Sequence, residues 1–194
     1  MQKTWILAAV IFTASTATAS PETHDGIYLR LQTGLGYTSA SNDAFTLKGG
    51  SGGLNVELGF ALFRNFIIAG KLFGTTTPSP DLKIGGVTFE NDDEDLRSNF
   101  GAAGVGLTYY IMPANVYLSG ALTVTKLGLV RNDENLGETK TGQGLHFGIG
   151  KEWWLADEWG LGLGAELALA RVPDESDTTW KAVSALVLLS VTYN

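Results

Sequence analysis

The sequence predicts an all-β fold, an eight-stranded antiparallel up-and-down transmembrane β-barrel. Three observations carry that reading. Eight stretches of about ten to fourteen residues alternate apolar side chains with glycine or polar ones, the period of a strand whose two faces meet different surroundings. Long connections and very short ones take turns between them. The faces also differ in kind, one rich in Leu and Val, the other in Gly, Ala, Ser and Thr.

A leader precedes the strands. Lys3, the eight-residue apolar run WILAAVIF and Ala17-Thr18-Ala19 supply a positive end, a short apolar core and a small-residue cleavage site. Residues 1–19 therefore read as a signal peptide cut before Ser20, and residues 20–194 as an outer-membrane β-barrel domain. The run is too short for a membrane-spanning helix, which needs about twenty residues. No Pro-rich or Ser-rich linker divides the remainder, which suits one domain. Cysteine is absent, so disulfides, thiolate chemistry and a lipoprotein anchor are excluded. With 13 Lys and Arg, one of them in the leader, against 20 Asp and Glu, the chain is acidic and unsuited to nucleic acid.

The first strand, 26–37, sets Leu29, Leu31 and Leu35 against Arg30, Gln32, Gly34 and Gly36. The second, 53–62, alternates Leu54, Val56, Leu58, Phe60 and Leu62 with Asn55 and Glu57. Phe63-Arg64-Asn65 turns the chain into the third, 66–73, whose polar face carries Lys71. In the fourth, 99–111, Val105, Leu107 and Tyr109 oppose Gly104 and Gly106, and Met112-Pro113-Ala114 leads into the fifth, 115–127. The sixth, 144–154, carries His146, Gly148, Gly150 and Glu152 on one face and turns at Ala156-Asp157. The seventh, 158–170, sets Leu161, Leu163, Leu167 and Leu169 against Gly160, Gly162, Gly164 and Glu166. The eighth, 179–193, brings Val183, Val187, Leu189 and Val191. The long connections are 38–50, 74–96, 128–142 and 171–178. Four long loops on one side, with three tight turns and both termini on the other, are what an even-stranded outer-membrane barrel requires, with the termini in the periplasm.

A soluble lipocalin-like barrel would also alternate, but its exposed face would be rich in Lys and Glu. Small residues suit the crowded inside of eight strands, where the lumen is only wide enough for side chains, so the apolar face points outward into lipid. Trp and Tyr favour membrane interfaces, where a ring body and a polar tip are both accommodated. Tyr28, Phe66, Tyr109, Trp153, Trp159 and Tyr193, together with Phe63, Tyr110, Tyr117 and Trp154, fall beside the short turns or termini. They are expected to form one aromatic girdle at the periplasmic interface.

On its strand count and the segment KEWWLADEWGLGLGAELALA, the chain resembles the OmpA/OmpX-like eight-stranded outer-membrane barrels. The resemblance covers the sequence after the leader and implies a monomer inserted by the barrel-assembly machinery, in contact with outer-membrane lipid and lipopolysaccharide. It departs from full-length OmpA in lacking a following peptidoglycan-binding domain, and it ends in VTYN, with Tyr193 penultimate where such barrels finish on an aromatic.

Inward polar residues are the candidates for internal chemistry: Arg30, Gln32, Asn55, Glu57, Lys71, His146, Glu152 and Glu166. Burying them is costly unless they pair, so a polar network plugging the lumen is expected. Register supports this. A three-residue Phe63-Arg64-Asn65 loop would put Leu62 opposite Phe66 and Glu57 opposite Lys71, whereas a two-residue loop would turn Lys71 towards lipid, at a cost of roughly 2 to 4 kcal/mol.

An enzyme of the lipid A deacylase kind needs a nucleophile within reach of a base. Two residues on from His146 stands Gly148, not a serine, and His24 lies near the new N-terminus. Omptin-like proteases need more strands. In the loops, the acidic run 91–95 and Asp174, Glu175 and Asp177 lack the alternation and central glycine of a calcium loop. No cofactor, metal or catalytic residue is therefore assigned. The sequence implies a structural or surface-interaction role with acidic outer loops, the alternatives being a narrow porin-like channel and a lipid-modifying enzyme. Phe45 and Phe89 are candidates for an adhesive contact.

Overall fold

The computed structural model describes residues 22–174 and 178–194. The expected signal peptide with its cleavage site, and Glu175 and Asp177, lie outside the described residues. The described strands are β1 (Ile27–Ser41), β2 (Thr46–Phe63), β3 (Phe66–Pro78), β4 (Asp81–Ile84), β5 (Val87–Phe89), β6 (Leu96–Ile111), β7 (Val116–Arg131), β8 (Glu134–Glu138), β9 (Gly142–Ala156), β10 (Trp159–Pro173) and β11 (Thr179–Tyr193). The eight long ones pair with their sequence neighbours, antiparallel throughout. Pairing of β1 with both β2 and β11, as in Leu31 opposite Val56 and Val191, closes the barrel and leaves no edge.

The apolar face is outside. Leu35, Leu54, Leu58, Val105, Leu107, Leu163, Val187 and Leu189 all expose between 46% and 76% of their surface. At about 25 cal/mol per Å² such a wall is unfavourable in water and favourable in hydrocarbon, where the closed ladder also satisfies every strand's backbone.

Seven of the eight strands run further at the loop end than apolar alternation indicates, β2 starting at Thr46 rather than 53 and β3 reaching Pro78 rather than 73. Segments such as GGSG and GTTTP have no apolar face, yet a hydrogen-bond ladder does not need one. The expected loop 38–50 accordingly shrinks to residues 42–45, where Asn42 Oδ1 accepts from the Ala44 and Phe45 amides at 2.9 Å each. Two other loops fold into sheet. The β4–β5 hairpin turns at Gly85-Gly86, whose φ angles of 58° and 91° suit glycine, and β4 pairs onto β2. Strand β8 doubles back on β7 across Asn132-Asp133, both in the left-handed region.

The short turns differ in detail from expectation. Phe63, not Leu62, faces Phe66, across Arg64-Asn65. A register shift between Ala61 and Phe63 takes up the extra residue, so Glu57 still lies opposite Lys71. The next turn retains Asn115, with φ 51°, and the last is Asp157-Glu158, pairing Ala156 with Trp159.

Candidate functional site

Inward side chains fill the barrel in layers, beginning at the turn end with a strap. Residues 22–25 cross the opening there, held where the Asn65 amide donates to the His24 carbonyl at 2.8 Å. His24, fully buried, stacks on Tyr110 at 3.5 Å and places its ring nitrogens 2.7 Å from Asn194 Oδ1 and 2.9 Å from Asn115 Oδ1. These contacts make His24 a stopper at the turn end.

Above it, the Tyr28 and Tyr110 hydroxyls are 3.3 Å apart, and Glu152 accepts from Tyr110 at 3.2 Å and Thr192 at 2.7 Å. Tyr28, Tyr110 and Tyr117 are all buried in the lumen, which corrects their expected place in the girdle. Proximity to the turns is right but parity decides the face: Tyr28 shares its side with Arg30 and Gln32, and Tyr117 with Ser119. Trp154 also lies towards His24. Tyr109, Trp153 and Trp159 remain outside, exposed by about half, with Phe66 stacked against exposed Phe63 and Tyr193 edge-on to Trp159.

Mid-barrel lies an ionic cluster. Arg30 donates to Glu57 at 2.7 Å and its guanidinium stands 4.2 Å from the Tyr117 ring centroid. Lys71 bridges Glu57 and Glu166 at 3.0 Å each. Asn55 donates to Gln32 at 2.7 Å and Glu166 at 3.0 Å, Gln32 donates to Tyr117 Oη at 3.1 Å, and His146 Nδ1 lies 2.8 Å from Glu166 Oε1. Seven of the eight inward polar residues thus form one connected set, while Glu152 belongs to the tyrosine layer below. Glycines on facing strands make the room: a Cβ at Gly150 or Gly164 would strike the Tyr117 ring.

Towards the loop end the filling turns apolar, with Phe73, Phe100, Leu127, Val172, Leu186 and Leu188 in one cluster and Phe73 edge-on to His146 at 4.7 Å. A hydroxyl knot, Thr38 with Ser51 at 2.8 Å and Ser184 at 2.9 Å, lies beside it. His146 Nε2 has no partner, and it lines, with Ser119, a cavity of about 10 Å³ that has room for a single water. No hydrogen bond joins Ser119 to His146 among the described residues. The acidic run is internally tied, Asp93 pairing with Arg131 at 2.6 Å and accepting from the Asp95 amide. No group of three or more His, Cys, Asp or Glu is placed to hold a metal ion among the described residues.

A family model described as the outer membrane protein beta-barrel domain matches residues 6–187. No curated protein matches the chain. Among solved structures, Neisserial surface protein A superposes with a TM-score of 0.60 at 14% identity, covering 87% of this chain and 97% of that one. Ail, the attachment invasion locus protein of Yersinia pestis, gives 0.51 at 12% identity, covering 87% and 99%. At such identities the likeness is one of fold.

Proposed function

The chain belongs to the outer membrane protein beta-barrel domain family, and we propose that it serves there as a closed, monomeric barrel with a structural or surface-interaction role, neither enzyme nor channel. The supporting observation is the lumen, in which Arg30, Glu57, Lys71 and Glu166 are buried and mutually paired beneath an apolar layer. Passage of a solute would require breaking these pairs, each partner then losing its compensation in a low-dielectric interior. Contact with the outside falls to the loops, where function commonly resides on a rigid scaffold. In this reading the turn end and termini face the periplasm, the exposed rings of Tyr109, Trp153 and Trp159 sit at that interface, and lipid and lipopolysaccharide surround the wall. Insertion is assigned to the barrel-assembly machinery, with Tyr193 as its C-terminal aromatic. The role is tested by complementing a deletion strain and measuring envelope integrity and adhesion. A barrel with Ser119→Ala should restore both phenotypes, and one lacking residues 81–89 and 134–138 should not. The converse pattern would overturn the proposal.

A further inference from the structure

We propose that the loop end holds a binding site for an uncharged apolar small molecule of the class of a single medium-length alkyl chain, an inference that rests on the closed barrel working through its loops. The loop strands there are amphipathic in a particular sense. Leu47, Leu82 and Phe89 stand in one cross-strand row over β2, β4 and β5, and partners directly opposite share a face. That face turns into a concave cup of about 1180 Å³, while Lys48 and Thr88, joined at 3.4 Å, lie on the other face. Leu129 and Leu136 of β7 and β8 form the facing wall, Trp180, edge-on to Phe45 at 5.2 Å, a third, and Ala40 and Leu127 of the lumen cluster the floor.

Two features define the occupant. Ile84, Phe89 and Leu136 expose 46%, 54% and 54% of their surface, so the concave side leaves apolar area uncovered where a solvated loop would be polar. Among the described residues the five rim charges nearly cancel, two lysines against three carboxylates. Lys126 is paired with Glu138 at 3.1 Å, Asp174 accepts from Trp180 Nε1 at 3.3 Å, and Glu90 and Lys140 add one charge of each kind. An apolar body is therefore rewarded and a charged head is not. The volume lies just above the roughly 300 to 1,000 Å³ of small-molecule sites, enough for an extended or folded alkyl chain.

The test titrates the refolded, methyl-labelled chain in dimyristoylphosphatidylcholine nanodiscs with 1-dodecanol, dodecanoate and dodecylammonium. With 1-dodecanol, the methyls of Leu82, Ile84 and Leu136 should shift saturably, at least tenfold more tightly than with either ion, while those of Leu58 and Leu163 on the outer wall stay unchanged. Absence of saturable shifts, equal or tighter binding of an ion, or equal response at Leu58 and Leu163 would overturn the proposal. Phe89→Ser and Leu136→Ser, on opposite walls and outside the barrel, should each weaken binding about tenfold without altering the heat-modifiable migration of the folded barrel. Wild-type affinity in both would also overturn it. Conductance recorded on the same preparations separates the two readings: a silent barrel without shifts removes the cup alone, and stepwise openings remove the closed barrel.

Discussion

Glu57 holds two cations at once, and Lys71 holds two carboxylates. Removing one partner of a buried pair strands the other charge, so Glu57→Gln and Lys71→Met should each destabilise the refolded barrel by about 3 to 5 kcal/mol, and the double variant by clearly less than the sum. Equilibrium unfolding in lipid measures this; strictly additive losses would contradict the pairing. The members of this cluster were legible in the sequence because a polar residue at an inward position must find a partner, and the alternation fixes which positions are inward. The tyrosines were not, since nearness to a turn says nothing about which face a ring takes. Parity with Arg30 marks Tyr28 as inward, and the glycines of β9 and β10 are the complementary signal, being small where Tyr117 reaches across. His24 carried no signal at all: its burial depends on Asn115 and Asn194, 91 and 170 residues away.

Strands were readable wherever one face is apolar and ended too early wherever neither is, as at Gly49 to Gly52 of β2. Strand β11, apolar on one face almost throughout, has the bounds 179–193 that its alternation indicates. The β4–β5 hairpin did have a local signature, Leu-Lys-Ile before Gly85-Gly86 and Val-Thr-Phe after it, hidden by the length of the connection around it. Two outcomes follow for elements. Leu58→Arg, on the outer wall near the middle of β2, should cost roughly 2 to 4 kcal/mol of barrel stability, and Leu136→Arg on β8, beyond the barrel wall, far less. Equal costs in refolded protein would mean that the apolar face does not meet hydrocarbon. Gly86→Val places a β-branched residue at φ 91°, a strain of about 1 to 3 kcal/mol. Amide exchange at residues 87–89 should quicken while the barrel's unfolding midpoint stays put.

For the whole molecule, closure by β1 with β11 makes a rigid tube, the strap at 22–25 stops one end and the apolar cluster caps the ionic one at the other. The topology in the membrane has its own outcome: an epitope inserted near Asp92 should be reached by antibody on intact cells and one near Pro113 only after permeabilisation, and the reverse would invert the barrel. Single-channel recording in planar bilayers tests the plugged lumen most directly. The wild-type barrel should give a flat trace at applied voltages that leave it folded. Stepwise openings that vanish when Glu57 or Lys71 is replaced would contradict a closed lumen and place a conducting path along the residues assigned here to its plug.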